Sequence, residues 1–204
     1  MIFMFVTDAP WAPLPVLLTA LAIGLSGCSG SSDTAPTSTA DSSATTTSSS
    51  VEQAADHNAA DIAFATDMIP HHEQALTLSD LVPERSDNPR LAALAADIKA
   101  AQQPEIDTLQ QYLRDWGAPE PTDTDHSDMA GMVDDATMAK LATLTGKDFD
   151  DLWLQSMIDH HRGAIDMAQT EIDEGVNPGA KELATAIIDT QQAEIDQMTA
   201  MLGQ

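Results

Sequence analysis

Two short stretches hold most of the chain's capacity for chemistry. "MIPHHEQA" at 68–75 and "MIDHHRGA" at 157–164 contain His71, His72, His160 and His161, four of the six histidines in the 204-residue chain. Each pair follows a methionine, Met68 or Met157, three residues ahead of its first ring. Imidazole can move a proton, bond a carboxylate or bind a metal. A third group, "HSDMAGM", sets His126, Met129 and Met132 at steps of three in an acidic stretch where thioethers have no apolar core to fill. Thioether with imidazole is a soft donor set that suits Cu(I), and copper, as Cu(I) or Cu(II), is the expected metal. Zinc, which more often has cysteine or carboxylate company, comes after copper, as does iron.

Other chemistries find less to work with. No serine or cysteine stands in a nucleophile-elbow setting, and no phosphate loop is present. A ferritin-like di-metal oxidase needs Glu-x-x-His on two helices, and this chain has none. Glu73 follows His72 without completing His-Glu-x-x-His. The oxidase therefore stands as a second alternative, and no catalytic residue is expected. The first alternative is a non-catalytic envelope interaction or stress module whose histidines only hydrogen-bond inside a core. The 33 acidic residues against 8 basic ones give a net charge of −25. Nucleic acid is excluded as a partner, because phosphate binding needs Lys and Arg. The same charge disfavours docking on anionic lipid and describes a solvated acidic surface.

The N-terminal third reads as targeting material. "LPVLLTALAIGLSGC" at 14–28 is too short to span a bilayer comfortably and ends in small residues, as a secretory signal does. Leu25-Ser26-Gly27-Cys28 resembles a bacterial lipobox, so residues 1–27 are expected to be a lipoprotein signal peptide and Cys28 a lipidated anchor. Asp8, not Lys or Arg, precedes the apolar run, which departs from the usual signal pattern. Residues 28–54 form a Ser/Thr-rich tether that lacks the apolar side chains to offset ordering entropy. Localisation is expected to be extracytoplasmic, on the bacterial cell membrane. With Cys28 the single cysteine, the domain has no disulfide and no thiolate ligand.

From about residue 55 the texture becomes helical. Expected helices run 56–81, 89–116, 148–174 and 178–202, with a connection at 117–147 holding a short helix near 136–144. Pro89 and Pro178 suit first-turn positions, while Pro70 and Pro104 are expected to kink their helices or delay their starts. Sliding the chain by 89 residues matches Met68 to Met157, His71-His72 to His160-His161, Asn88-Pro89 to Asn177-Pro178, and Glu105-Ile106-Asp107 to Glu194-Ile195-Asp196. Two repeats, about 56–116 and 148–204, describe an internal duplication of one helical hairpin. Together they form an all-α, ferritin-like four-helix bundle over residues 55–204. Seam spacing places Trp153, Met157, His160, Ala164 and Met167 inward on one helix, and Phe64, Met68, His71, Ala75 and Leu78 on its match. The second histidine of each pair falls on the flank. Gln102, Glu105, Gln191 and Glu194 recur on the facing stripes, as partners for His71 and His160 or as an outer shell around a metal. A homodimer remains open.

"FATDMIPHHEQAL" and "FDDLWLQSMIDHHRGAIDMA", each followed by "QQ.EID", resemble the bacterial family called domain of unknown function 305, over about residues 55–204. The resemblance implies a secreted or lipid-anchored ferritin-like four-helix domain. Some members, the CopM-type periplasmic proteins, bind copper through His and Met. It implicates Met68, His71, His72, Met157, His160 and His161, with Met129 and Met132 from the linker.

Overall fold

The computed structural model describes residues 56–121 and 129–202. The expected signal peptide, Cys28, the tether and His126 lie outside them. Four long helices and one short one make up the described chain: α1 (Ala59–Arg85), α2 (Pro89–Trp116), α3 (Asp135–Leu141), α4 (Gly146–Glu174) and α5 (Pro178–Leu202). Among the described residues no helix is long and apolar enough to cross a membrane.

Local chemistry sets the limits. Asn58 caps α1 by accepting from the N–H groups of Ala60 and Asp61, and the Asp61 carboxylate returns a bond to the Asn58 N–H. Asn88 accepts from Arg90 N–H and Asn177 from Ala180 N–H, each just ahead of a first-turn proline. Gly117 ends α2 at a φ of 66°, a left-handed value that favours glycine. The helix boundaries differ from expectation at α1. It starts at Ala59 and continues through Pro83 to Arg85, because burial of Val82 and Ser79 holds the last turns in place. Pro70 and Pro104 also lie inside their helices, so neither delays a helix start. Packing of the surrounding helices outweighs the one backbone bond each proline removes.

α1 packs on α2, α4 on α5, and α1 on α4. The N-terminal end of α1 meets the C-terminal end of α4, where Val176 N–H and Asn177 N–H donate to Asp61. The two hairpins thus run antiparallel to each other about an approximate twofold axis through the α1–α4 contact. Trp153 fastens that contact: its buried indole N–H donates to Leu78 carbonyl at 2.9 Å.

The apolar core falls into two clusters. One gathers Leu78, Leu91, Phe149, Trp153 and Met157, and the other Phe64, Met68, Leu109, Leu113 and Ile187. Between them lies a polar layer with His71, His72, Gln102, His160, His161 and Gln191, every one of them buried.

Candidate metal centre

His71 and His160 meet on the twofold axis where α1 crosses α4. Their ring centroids are 3.7 Å apart with the planes tilted by 34°. Matched residues can touch each other only on such an axis, which is why two positions in the same 89-residue register make a histidine-on-histidine contact. His72 and His161, expected on the flank of the seam, are both fully buried. The second helix of each hairpin covers that flank and brings a carboxylate to it. His72 Nε2 lies 2.8 Å from Glu105 Oε2, and His161 Nε2 lies 2.7 Å from Glu194 Oε2. The glutamates thus serve the second histidine of each pair, within one hairpin, and not His71 and His160 across the bundle.

This arrangement fixes which nitrogens are free. An ionised carboxylate can only accept, so Nε2 donates in both His–Glu bonds and, in the neutral ring, Nδ1 keeps the lone pair. Nδ1 of His72 and of His161 is buried without a protein partner, as are both nitrogens of His71 and of His160, making six ring nitrogens in one layer. The side-chain amides of Gln102 and Gln191 are equally unpartnered. A buried polar atom left unsatisfied costs about 1–3 kcal/mol, so the layer carries a stability cost that the approach of the Ala130 backbone to His71 eases only in part. Burial above all, with His72 and His161 adding repulsion, pushes the His71 pKa down to about 3, against a small opposing pull from the nearby Ala130 backbone. Burial, then His71, His161 and His72, hold His160 well below the usual imidazole value. Both rings are therefore neutral, with lone pairs to offer.

Among the described residues no three His, Cys, Asp or Glu side chains stand ready to hold a metal ion. The stacking explains this. Lone pairs lie in the ring planes, while His71 and His160 present faces to each other. For both rings to offer nitrogen to one ion, one of them would have to turn, with Nδ1 of His72 and His161 and the methionine sulfurs as the further donors. Met68 and Met157 are fully buried one turn away, and each belongs to a different apolar cluster, above and below the histidine layer.

Met129 and Met132 lie on a turn, closed by Met132 N–H donating to Met129 carbonyl, that crosses α4 beside the histidines. Gly131 adopts a φ of 81°. A Cβ on Gly131 would stand 2.9 Å from His160 carbonyl oxygen, and one on Gly163 would collide with Ala130. Both methionines are half-buried.

A family model described as "Domain of unknown function (DUF305)" matches residues 61–202. This chain belongs to the DUF305 family. It is similar to a crystal structure of a DUF305 protein from Streptomyces coelicolor, secreted by its description. That pair is 34% identical with a TM-score of 0.66, covering 71% of this chain and 92% of the other. A DUF305 fragment from Deinococcus radiodurans gives 34% identity and a TM-score of 0.66, over 72% and 97% of the two chains. CopM in its Cu(I)-bound form gives 29% identity and a TM-score of 0.59, over 69% and 94%. An uncharacterised mimivirus protein, L153, is 40% identical over 50 residues, which span 33% of its length.

Within this DUF305 domain, three positioning residues escape a reading of the sequence alone. Gln74 accepts from Val133 N–H at 2.8 Å and donates to Val133 carbonyl at 2.9 Å. Gly131 and Gly163 allow the linker backbone to lie on α4. A signal for two of them does exist in the 89-residue register, since Gln74 matches Gly163 and the two repeats diverge sharply just there.

Proposed function

We propose that this DUF305 protein binds copper, as Cu(I) or Cu(II), outside the cytoplasm, and sequesters it or passes it on. The observation that carries this reading is the layer of six buried ring nitrogens without a protein partner, flanked by methionines. Bound copper would supply the Lewis-acid and redox chemistry; the protein supplies donors and a dry cage. His71, His72, His160 and His161 are the proposed nitrogen ligands, and Met68, Met157, Met129 and Met132 the sulfur ligands, with His126 added from the linker. Glu105 and Glu194 orient the rings of His72 and His161, and such outer carboxylates raise ligand basicity. Gln102 and Gln191 complete the outer shell. The likeness to CopM in its Cu(I)-bound, Cu(II)-bound and Ag-bound forms supports the choice of metal.

The proposal places residues 1–27 in a cleaved signal peptide and a lipid on Cys28, with residues 28–54 as a tether to the bacterial cell surface. Duplication of one hairpin accounts for the matched halves.

Anaerobic titration of metal-free protein with Cu(I) against a chromophoric chelator tests the reading. Wild type takes up copper stoichiometrically, and alanine at His71, His72, His160 and His161 together lowers affinity by ~100-fold or more. Unchanged affinity in that variant overturns the assignment. A second reading, in which the histidines are structural, is favoured by the two His–Glu bonds. It predicts that elemental analysis of protein purified from its native envelope finds no copper, zinc or iron.

A further inference from the structure

The linker does more than connect the hairpins: its described part is fastened across the histidine layer. Two hydrogen bonds from one side chain, Gln74, grip both polar backbone atoms of Val133. Two residues upstream, Gly131 lies so close to α4 that its Cα would be 2.8 Å from a Cβ on Gly163. Around the Gly131 approach the chain turns back on itself at Met129–Met132, and the Ala130 backbone comes up to the His71 ring. The strap is thus held on α1 by Gln74 and on α4 by Gly163. These are the two helices that carry the histidines, and the points of attachment lie within one turn of them.

Resting on the copper reading above, we propose that Gln74, Gly131 and Gly163 are positioning residues that hold the Met129–Val133 strap over the histidine layer and thereby set the preference for a soft cation. None of the three offers a donor to the ion. They act by fixing the segment that carries two thioethers. When the strap lies down, sulfur is added to the nitrogen set; when it lifts, the imidazoles remain and the site becomes a borderline one. Soft and borderline cations should therefore respond differently to the same substitution, which a general loss of stability would not produce.

Gly163→Ala is the sharpest test, because alanine suits a helix better than glycine while its methyl group evicts Ala130. Gln74→Leu tests the other attachment without touching α4, and Gln103→Leu, on an exposed stretch of α2, serves as the control. In the metal-free full chain, hydrogen exchange at the Val133 amide is expected to quicken in both variants while that of buried Leu109 stays as in wild type. With Ag(I) as a redox-inert soft probe and Zn(II) as the borderline one, Ag(I) affinity should fall by ~10-fold or more while Zn(II) affinity stays within about threefold. Equal losses for the two cations, or an Ag(I) affinity held within threefold in folded Gly163→Ala, overturn the proposal. A wild-type chain that takes up neither ion defeats the functional reading instead. The exchange measurement then still decides whether these residues hold the strap.

Discussion

The two hairpins are built on the same register and differ in what they do with it. At the histidine layer they agree: His72 bonds Glu105 and His161 bonds Glu194, each pair 33 residues apart, at 2.8 and 2.7 Å. At the ends of the bundle they diverge. Asp61, at the start of α1, accepts backbone N–H donors from Asn58, Val176 and Asn177 and so ties the α4–α5 turn to the first hairpin. Its match, Asp150, has a buried Oδ1 without a protein partner, and the N–H of Asn88 goes to Ser86 Oγ instead. A cavity of about 350 Å³ opens there, lined by Asp87, Asn88, Asp150 and Met201 among others. What both halves keep is the part proposed to hold metal. What they do not keep is the fastening around it.

The largest effect expected from breaking this comparison is at the closed end. Asp61→Ala removes a cap from α1 and leaves three backbone donors without their acceptor, which should cost about 2–4 kcal/mol. Asp150→Ala removes a group that fastens nothing and should cost less than about 1 kcal/mol. Urea denaturation of the two variants measures the difference directly, and equal losses would mean that the open end is fastened as firmly as the closed one.

The next effect is smaller and symmetric. Glu105→Gln and Glu194→Gln each convert an acceptor-only group into one that can also donate, loosening the tautomer and orientation of the neighbouring ring. Copper affinity should fall by ~10-fold in each, and by similar factors in the two. If one variant loses affinity and the other does not, the metal is held by one hairpin and the axial arrangement is wrong.

Periodicity and the 89-residue register made the bundle legible, because both are properties of the sequence itself: α2 and α5 lie where Pro89, Gly117 and Pro178 mark them. The histidine layer was legible for its first rings, which follow the seam spacing. What covers His72 and His161 was not, since spacing on one helix says nothing about a second helix lying on its flank. The pairing of Glu105 with His72, and not with His160, depends on hairpin packing that no local pattern carries. The attachment of Met129–Val133 depends on Gln74, Gly131 and Gly163, which are unremarkable residues until the linker path is known. The helical reach of α1 past Pro83 was hidden because burial of Val82 overrides a local breaker.

A pH-dependent prediction concerns a second asymmetry at the same end as Asp61. Glu171 is buried beside Asp61, where its match in the first hairpin is Val82, and Gly175 leaves room for its carboxyl group. Burial first, then the neighbouring Asp61, push the Glu171 pKa from 4.5 up to about 8, with Lys181 opposing. Burial also works to raise the Asp61 pKa, but N–H groups of Asn177, Asn58 and Val176 and a contribution from Glu171 outweigh it and hold that carboxyl below 3.8. The two groups therefore tilt stability in opposite directions. For Glu171 the folded state binds the proton more tightly than the unfolded chain does, so stability declines as pH rises from about 4.5 to about 8 and the penalty is complete above that. For Asp61 stability is present above 3.8 and is lost as pH falls through its lowered value. Glu171→Gln removes the first slope and leaves the second. Thermal melts at pH 5 and pH 9 should converge for the variant while wild type melts lower at the higher pH. A wild-type slope that survives in Glu171→Gln would assign the alkaline loss to some other group and leave Asp61 to fasten the turn without a protonated neighbour.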